Sequence, residues 1–159
     1  MKHTLQRAQR LGRRVPSLVA ISVGVLAALA HPPFGFLPGL LGYGLLMLLA
    51  DQAPSRGKAF QYGWSAGVGY FAVGCWWVAE AFMVDAQVFG WMAPFAVALL
   101  AGGLAVFWGL GLLLYRAVAP SGVARVFIFA GALSLAEWLR GHLFTGFPWN
   151  LPGESWKAG

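Results

Sequence analysis

The placement of charge constrains this chain more than any other feature. No Asp, Glu, Lys or Arg occurs from Val15 to Ala50, from Ala59 to Ala79 or from Ala86 to Tyr115. A helix or strand at the surface of a water-soluble fold needs a polar face repeating at the period of that element, and these stretches have none. Hydrocarbon around the chain removes the requirement, because a helix satisfies its own backbone hydrogen bonds. Composition agrees: 59% of residues are hydrophobic and 10% charged, and the mean hydropathy is +0.69. Eight Trp and 22 Gly suit interfacial anchoring and close helix approach.

The spacing predicts an all-α protein, a polytopic membrane helix bundle of about five hydrophobic segments. Residues 1–14 read as a basic cytoplasmic tail and 15–50 as a short hydrophobic helical hairpin. Residues 59–143 read as three transmembrane helices, and 144–159 as a periplasmic segment rich in aromatics, Pro and Gly. The hairpin arms, Val15–Ala30 and Phe36–Ala50, are short: the first reaches roughly 24 Å against a hydrocarbon core of about 30 Å. His31-Pro32-Pro33-Phe34-Gly35 separates them and cannot be continuous helix. The next runs, Ala59–Val84, Phe89–Tyr115 and Val123–Leu143, are each long enough to span.

Nine of the eleven Lys and Arg residues fall on one side of this arrangement. Lys2, Arg7, Arg10, Arg13 and Arg14 lie in the tail, Arg56 and Lys58 in the second connection, and Arg116 and Arg125 around the fourth. Arg140 and Lys157 lie on the other side. The basic side is therefore expected in the cytoplasm, with His31, Asp85 and everything beyond Leu143 facing outward. Because the cations sit between apolar runs, the net charge of +6 reads as topology-setting and anionic-lipid-facing, and nucleic acid is not an expected partner. The tail, the apolar stretch from Leu18 and Ala28-Leu29-Ala30 also resemble a cleavable signal peptide, but Pro32 and a second apolar run follow immediately.

Few side chains can carry chemistry. Cys75, the single cysteine, sits among Phe71, Val73, Trp76 and Val78 with no base nearby, as a packing thiol would. His3, His31 and His142 are too scattered to suggest a metal site, and no cofactor motif occurs. Glu80 lies near the outer end of the third run, where it either reaches the surface or lines a polar cavity. Glu137 and Arg140 are three apart and can share a helix face, either neutralising each other or leaving Arg140 to hold an anionic head group. Beyond them, Phe144 to Gly153 is too broken for helix and too aromatic for a solvated loop. Phe147 and Trp149 there serve as interfacial anchors or line the way in for a lipid chain. Small residues recur in the third helix (Gly63, Ala66, Gly67, Gly69, Gly74) and the fourth (Gly102, Gly103, Gly109, Gly111), for close packing or for a lipid-accommodating groove.

Several phrases resemble the N-terminal membrane region of the apolipoprotein N-acyltransferase family. They are Glu137-Trp138-Leu139-Arg140-Gly141 followed by Thr145-Gly146-Phe147-Pro148-Trp149-Asn150-Leu151, with Pro32-Pro33-Phe34-Gly35 and Gly69-Tyr70-Phe71 running into Trp76-Trp77. The resemblance implies an inner-membrane protein whose family moves an acyl chain from a phospholipid donor to a diacylated lipoprotein acceptor. It also implies a separate nitrilase-like domain carrying catalytic glutamate, lysine and cysteine. None of Glu80, Glu137, Lys157 or Cys75 matches those positions, so no catalytic residue is assigned and these 159 residues alone are expected to be inactive. Lipid contact is assigned to Glu80, Trp138, Arg140, Phe147, Pro148 and Trp149. The competing class is a small non-enzymatic integral membrane protein, such as a transporter subunit or assembly factor; no clear internal repeat or broken central helix supports a transporter.

Overall fold

The computed structural model describes residues 16–118 and 121–155. The basic tail, Pro120 and Lys157 lie outside the described residues. Among the described residues there are seven α-helices, with short 3-10 turns before the second, between the third and fourth and between the fifth and sixth, and no strand. Helix α1 (Pro16–Ala28) ends in a turn containing a cis Pro32–Pro33 bond. A 3-10 turn, Leu37–Leu40, then leads into α2 (Leu41–Asp51). Helix α3 (Arg56–Gly74) starts where the Ser55 hydroxyl accepts from the Lys58 amide at 3.2 Å, an N-cap that satisfies an otherwise orphaned donor. After Cys75 come the 3-10 turn Trp76–Ala79, α4 (Glu80–Met83), α5 (Ala86–Phe89), the 3-10 turn Gly90–Met92, α6 (Ala93–Val118) and α7 (Ala124–His142).

One expectation changes and another is not confirmed. The run Ala59–Val84 is not one helix: Arg56–Gly74 and Trp76–Met83 meet at a bend of 58°. Cys75 leaves the helical region at φ −108°, ψ 16°, and the Asn150 side chain occupies the space where a Gly74 Cβ would project. A contact from the far end of the chain thus fills the break, which no local pattern announces. The all-α class holds, while length and composition do not confirm five spans. One helix, Ala86–Val118, is long and apolar enough to cross a membrane, and the bent pair adds a second if it counts as one span. Pro16–Ala28 and Leu37–Asp51 are shorter apolar helices. Helix α7 has the length, but Arg125, Glu137 and Arg140 interrupt it.

Glycine sets the spacing of the bundle. A Cβ on Gly67 would stand 2.8 Å from the Ala105 Cα, and one on Gly63 would meet the Trp108 carbonyl, so α3 and α6 touch backbone to backbone. On the other side of α3, Gly24 of α1 abuts the Ala66 carbonyl and Gly69 abuts the Ile21 carbonyl. Gly42 brings α2 onto α1 at Ala27, and Gly111 brings α6 near Ala132 and Ala136 of α7. Tyr70, Phe71, Cys75, Ala105, Trp108 and Leu112 fill the resulting core, each at most 1% exposed. At one end of the bundle Asp51 accepts from the Tyr115 hydroxyl and, at 3.2 Å, from Arg125, while Arg116 donates to the Ala53 carbonyl at 3.0 Å. The ends of α2 and α6 and the start of α7 are tied there by the expected basic side.

Candidate lipid-facing site

The opposite end is organised around one ion pair. Glu137 and Arg140 share a face of α7 at 6% and 1% exposure. Burying a charge this completely is tolerable only when it is paired and fully hydrogen-bonded, and both conditions hold. Arg140 Nε and Nη2 donate to Glu137 Oε2, and Trp108 Nε1 donates to Glu137 Oε1 at 2.6 Å. The guanidinium lies 5.0 Å from the Phe71 ring centroid, an attraction added to that of the carboxylate.

The remaining reach of Arg140 goes into the segment after α7. Its Nη1 donates to the carbonyls of Phe147 and, at 3.0 Å, Trp149, while its own carbonyl accepts from the Phe147 amide at 3.0 Å. The chain reverses sharply to make this possible. Phe144, Thr145 and Gly146 all have positive φ (52°, 76° and 78°). Gly146 is required twice, by its φ and because a Cβ there would strike the Gly141 carbonyl. Two consecutive non-glycine residues in this region each cost on the order of 1–3 kcal/mol, which the surrounding hydrogen bonds offset. A third carbonyl of the segment, that of Asn150, accepts from the Tyr70 hydroxyl at 2.8 Å.

Tyr70 extends the network. It stacks on Trp108 with centroids 4.6 Å apart, and its hydroxyl lies 3.0 Å from His31 Nε2, itself 3.2 Å from the Tyr43 hydroxyl. Every helix but the short α4 and α5 thus either contributes a side chain or abuts one that does, through the turn after α1, α2, α3, α6 and α7.

Of the residues proposed from sequence, Arg140, Phe147, Pro148 and Trp149 come together as one unit. Trp138 lies on the exposed side of α7, 58% accessible and stacked on His142 at 4.5 Å. Trp149 is equally exposed and meets the Trp77 ring edge-on at 6.3 Å. Glu80 does not join them; it is exposed at the start of α4. Trp108, Tyr70, His31, Tyr43 and Asn150 were not singled out from sequence as site residues. Their only signal was partial: Tyr70 and Asn150 belong to phrases that carry the family resemblance, and His31 immediately precedes another. Among the described residues no group of three or more His, Cys, Asp or Glu gathers to hold a metal.

Two cavities flank this unit. One of about 720 Å³ lies along α7 beside Tyr43, Gly44 and Met47 of α2, with Pro148 in its lining. The other, about 590 Å³, lies between α6 and the reversed segment, with Arg140 and Phe147 in its wall. Both are lined mainly by apolar side chains.

Three phrases remote in sequence, around His31, Tyr70 and Glu137 to Asn150, therefore converge on one cluster, and the same stretch is what known proteins share. The family model described as apolipoprotein N-acyltransferase N-terminal domain matches residues 23–159. The chain belongs to that family. Over 145 residues it is 62% identical to the apolipoprotein N-acyltransferase of Caulobacter vibrioides, covering 89% of this chain and 27% of the relative. Over 147 residues it is 42% identical to that of Rhizobium etli and 40% to that of Brucella melitensis, each covering 86% of this chain and 28% of the relative. The chain thus spans a little over a quarter of the length of these family members.

Proposed function

We propose that this chain forms the membrane part of an enzyme that moves an acyl chain from a phospholipid to the α-amino group of a lipoprotein's diacylglyceryl-modified N-terminal cysteine. Family membership supports the reaction class. The observation that carries a role for these residues is the grip of Arg140 and Tyr70 on three carbonyls of Phe147–Asn150. It ties an aromatic segment to the end of α7, with Trp149 exposed and Phe147 half-buried.

In this reading the helices cross the inner membrane with the basic tail in the cytoplasm, and the Arg140 end lies at the outer leaflet. Trp138, Phe147, Pro148 and Trp149 meet lipid, and Glu80 sits on the outer rim. Arg140 acts from behind them: buried and engaged by Glu137, it orders the segment rather than meeting a solvated head group. The site positions lipid and supplies no nucleophile. Among the described residues Cys75 is fully buried and hydrogen-bonded only through its backbone, and a thiol needs water or a base to become a thiolate.

The test uses a strain depleted of its own lipoprotein N-acyltransferase and supplied with the whole coding sequence. Mass spectrometry of a lipoprotein is expected to find one added acyl chain on its N-terminal cysteine. Persistence of the diacylated form with the protein present in the membrane would refute the reading. A polypeptide of these 159 residues alone is expected to give no transfer.

A further inference from the structure

We infer that His31 is a positioning residue: its Nε2–H is donated to the Tyr70 hydroxyl oxygen, which aims the single Tyr70 hydrogen at the Asn150 carbonyl and so fixes the segment after α7. The inference rests on the lipid-contact role proposed above for that segment.

The side chain of His31 is buried without being needed for the local fold. Among the described residues it is 2% exposed, one of the buried polar or charged side chains with Ser65, Glu137 and Arg140. Its backbone makes the turn after α1: the amide donates to the Ala28 carbonyl, and the carbonyl accepts from the amides of Phe34 and Gly35, each at 3.0 Å. The Tyr70 ring meets the imidazole edge-on at 5.4 Å, a contact that a phenylalanine would also make. Burying an imidazole in its place costs free energy unless its nitrogens are used. The turn and the packing therefore give no reason for histidine; the contacts of Nε2 do.

The hydrogens available fix the direction of those contacts. A phenol carries one, and that of Tyr70 goes to the Asn150 carbonyl at 2.8 Å, since a carbonyl only accepts. The Tyr70 oxygen can then only accept from His31 Nε2, 3.0 Å away, so Nε2 carries a hydrogen. Were Nε2 bare, two lone pairs would face each other at that distance, or the Tyr70 hydrogen would turn to the imidazole and leave Asn150. The Tyr43 hydroxyl, 3.2 Å from the same nitrogen, shares the donor. A hydrogen bond received by the Tyr70 oxygen also strengthens the one that its hydroxyl donates.

What hangs on that one hydrogen is the far side of the segment. Arg140 holds the carbonyls of Phe147 and Trp149 from α7, and Tyr70 holds that of Asn150 from α3. Asn150 sits at φ 57° with its side chain in the space beside Gly74, and the preceding Trp149 meets Trp77. The segment is thus clamped from two helices, and the turn after α1 sets one of the two clamps.

The protein, expressed from its whole coding sequence with isotopically labelled histidine and placed in phosphatidylethanolamine–phosphatidylglycerol vesicles, tests this by nitrogen solid-state NMR. The His31 signal, assigned by its loss in His31→Gln, is expected to show a hydrogen on Nε2; a bare Nε2 would overturn the inference. Amide hydrogen exchange then compares variants. His31→Phe keeps a ring and removes the donor, and Tyr70→Phe removes the aimed hydrogen. Each is expected to speed exchange in Phe144–Leu151 at least several-fold while α6 keeps its protection. His31→Gln, whose side-chain amide can donate, should retain most of the wild-type protection. Equal loss in the Gln and Phe variants, or loss spread through the helices, would overturn the inference in favour of packing. In acyl transfer to a diacylated lipopeptide, His31→Phe should raise KM for a lipid substrate several-fold with kcat within about two-fold, because the segment supplies binding alone. A fall in kcat at unchanged KM would overturn the positioning role. Absence of transfer by the wild-type protein would refute the proposed reaction and leave NMR and exchange to decide the role of His31.

Discussion

Arg140 is the residue on which its end of the bundle depends, and its partners set what its loss should cost. Removing it strands a buried carboxylate and leaves the carbonyls of Phe147 and Trp149 without their donor. Breaking a buried pair from one side typically costs about 3–5 kcal/mol. Arg140→Leu should therefore lower the thermal unfolding midpoint in detergent sharply. Adding Glu137→Leu removes the stranded charge but not the orphaned carbonyls, each worth about 1–3 kcal/mol, so the double variant should recover part of the loss. Losses that simply add would mean that the two side chains are not coupled. The three-residue spacing made the pairing legible from sequence. Trp108 and the two carbonyls were not legible, because nothing in a one-dimensional pattern brings position 108 to 137 or turns residue 147 back onto 140. Cys75 belongs at this scale too: Cys75→Ala in the whole protein should leave acyl transfer unchanged, and loss of transfer without loss of folding would give the thiol a role that its burial argues against.

At the scale of elements, the glycines divide into those that bring helices together and those that stand free. Gly67→Ile should force α3 from α6, since even the Cβ would lie 2.8 Å from the Ala105 Cα, and overpacking of this kind costs typically about 1–3 kcal/mol. Gly102→Ala adds a methyl that meets nothing within 4 Å, so it should be neutral or slightly stabilising through helix propensity. Unfolding by SDS titration in mixed micelles measures both; equal effects would sink the distinction. Sequence alone offered packing and a lipid groove as alternatives for these residues, and the structure divides the positions between contact and open space. The end of α7 and the broken hairpin connection were readable, because Pro and Gly act locally. The break at Cys75 was not, because Asn150 fills the space beside Gly74.

For the whole molecule, the two ends differ in charge in a way that ought to fix its orientation. Asp51, Arg116 and Arg125 tie α2, α6 and α7 together at one end, with Arg56 and Lys58 at the start of α3. The described cations outside that end reduce to Arg140, and Glu137 neutralises it. Since unpaired Lys and Arg near short connections are what resist export, the first end should stay in the cytoplasm. Single cysteines in a Cys75→Ala background make this measurable. Val84 and Phe144 are each 90% exposed, and Gly57 lies in the first turn of α3, where a Cβ would touch only the Ser55 hydroxyl. In intact spheroplasts a membrane-impermeant maleimide should label Val84→Cys and Phe144→Cys, while Gly57→Cys should react only after permeabilisation. The reverse order would invert the bundle and put the Arg140 cluster at the inner leaflet, away from any acceptor outside the cell. Labelling of all three without permeabilisation would deny a crossing between α3's two ends, and with it the reading of the bent pair Arg56–Gly74 and Trp76–Met83 as one span.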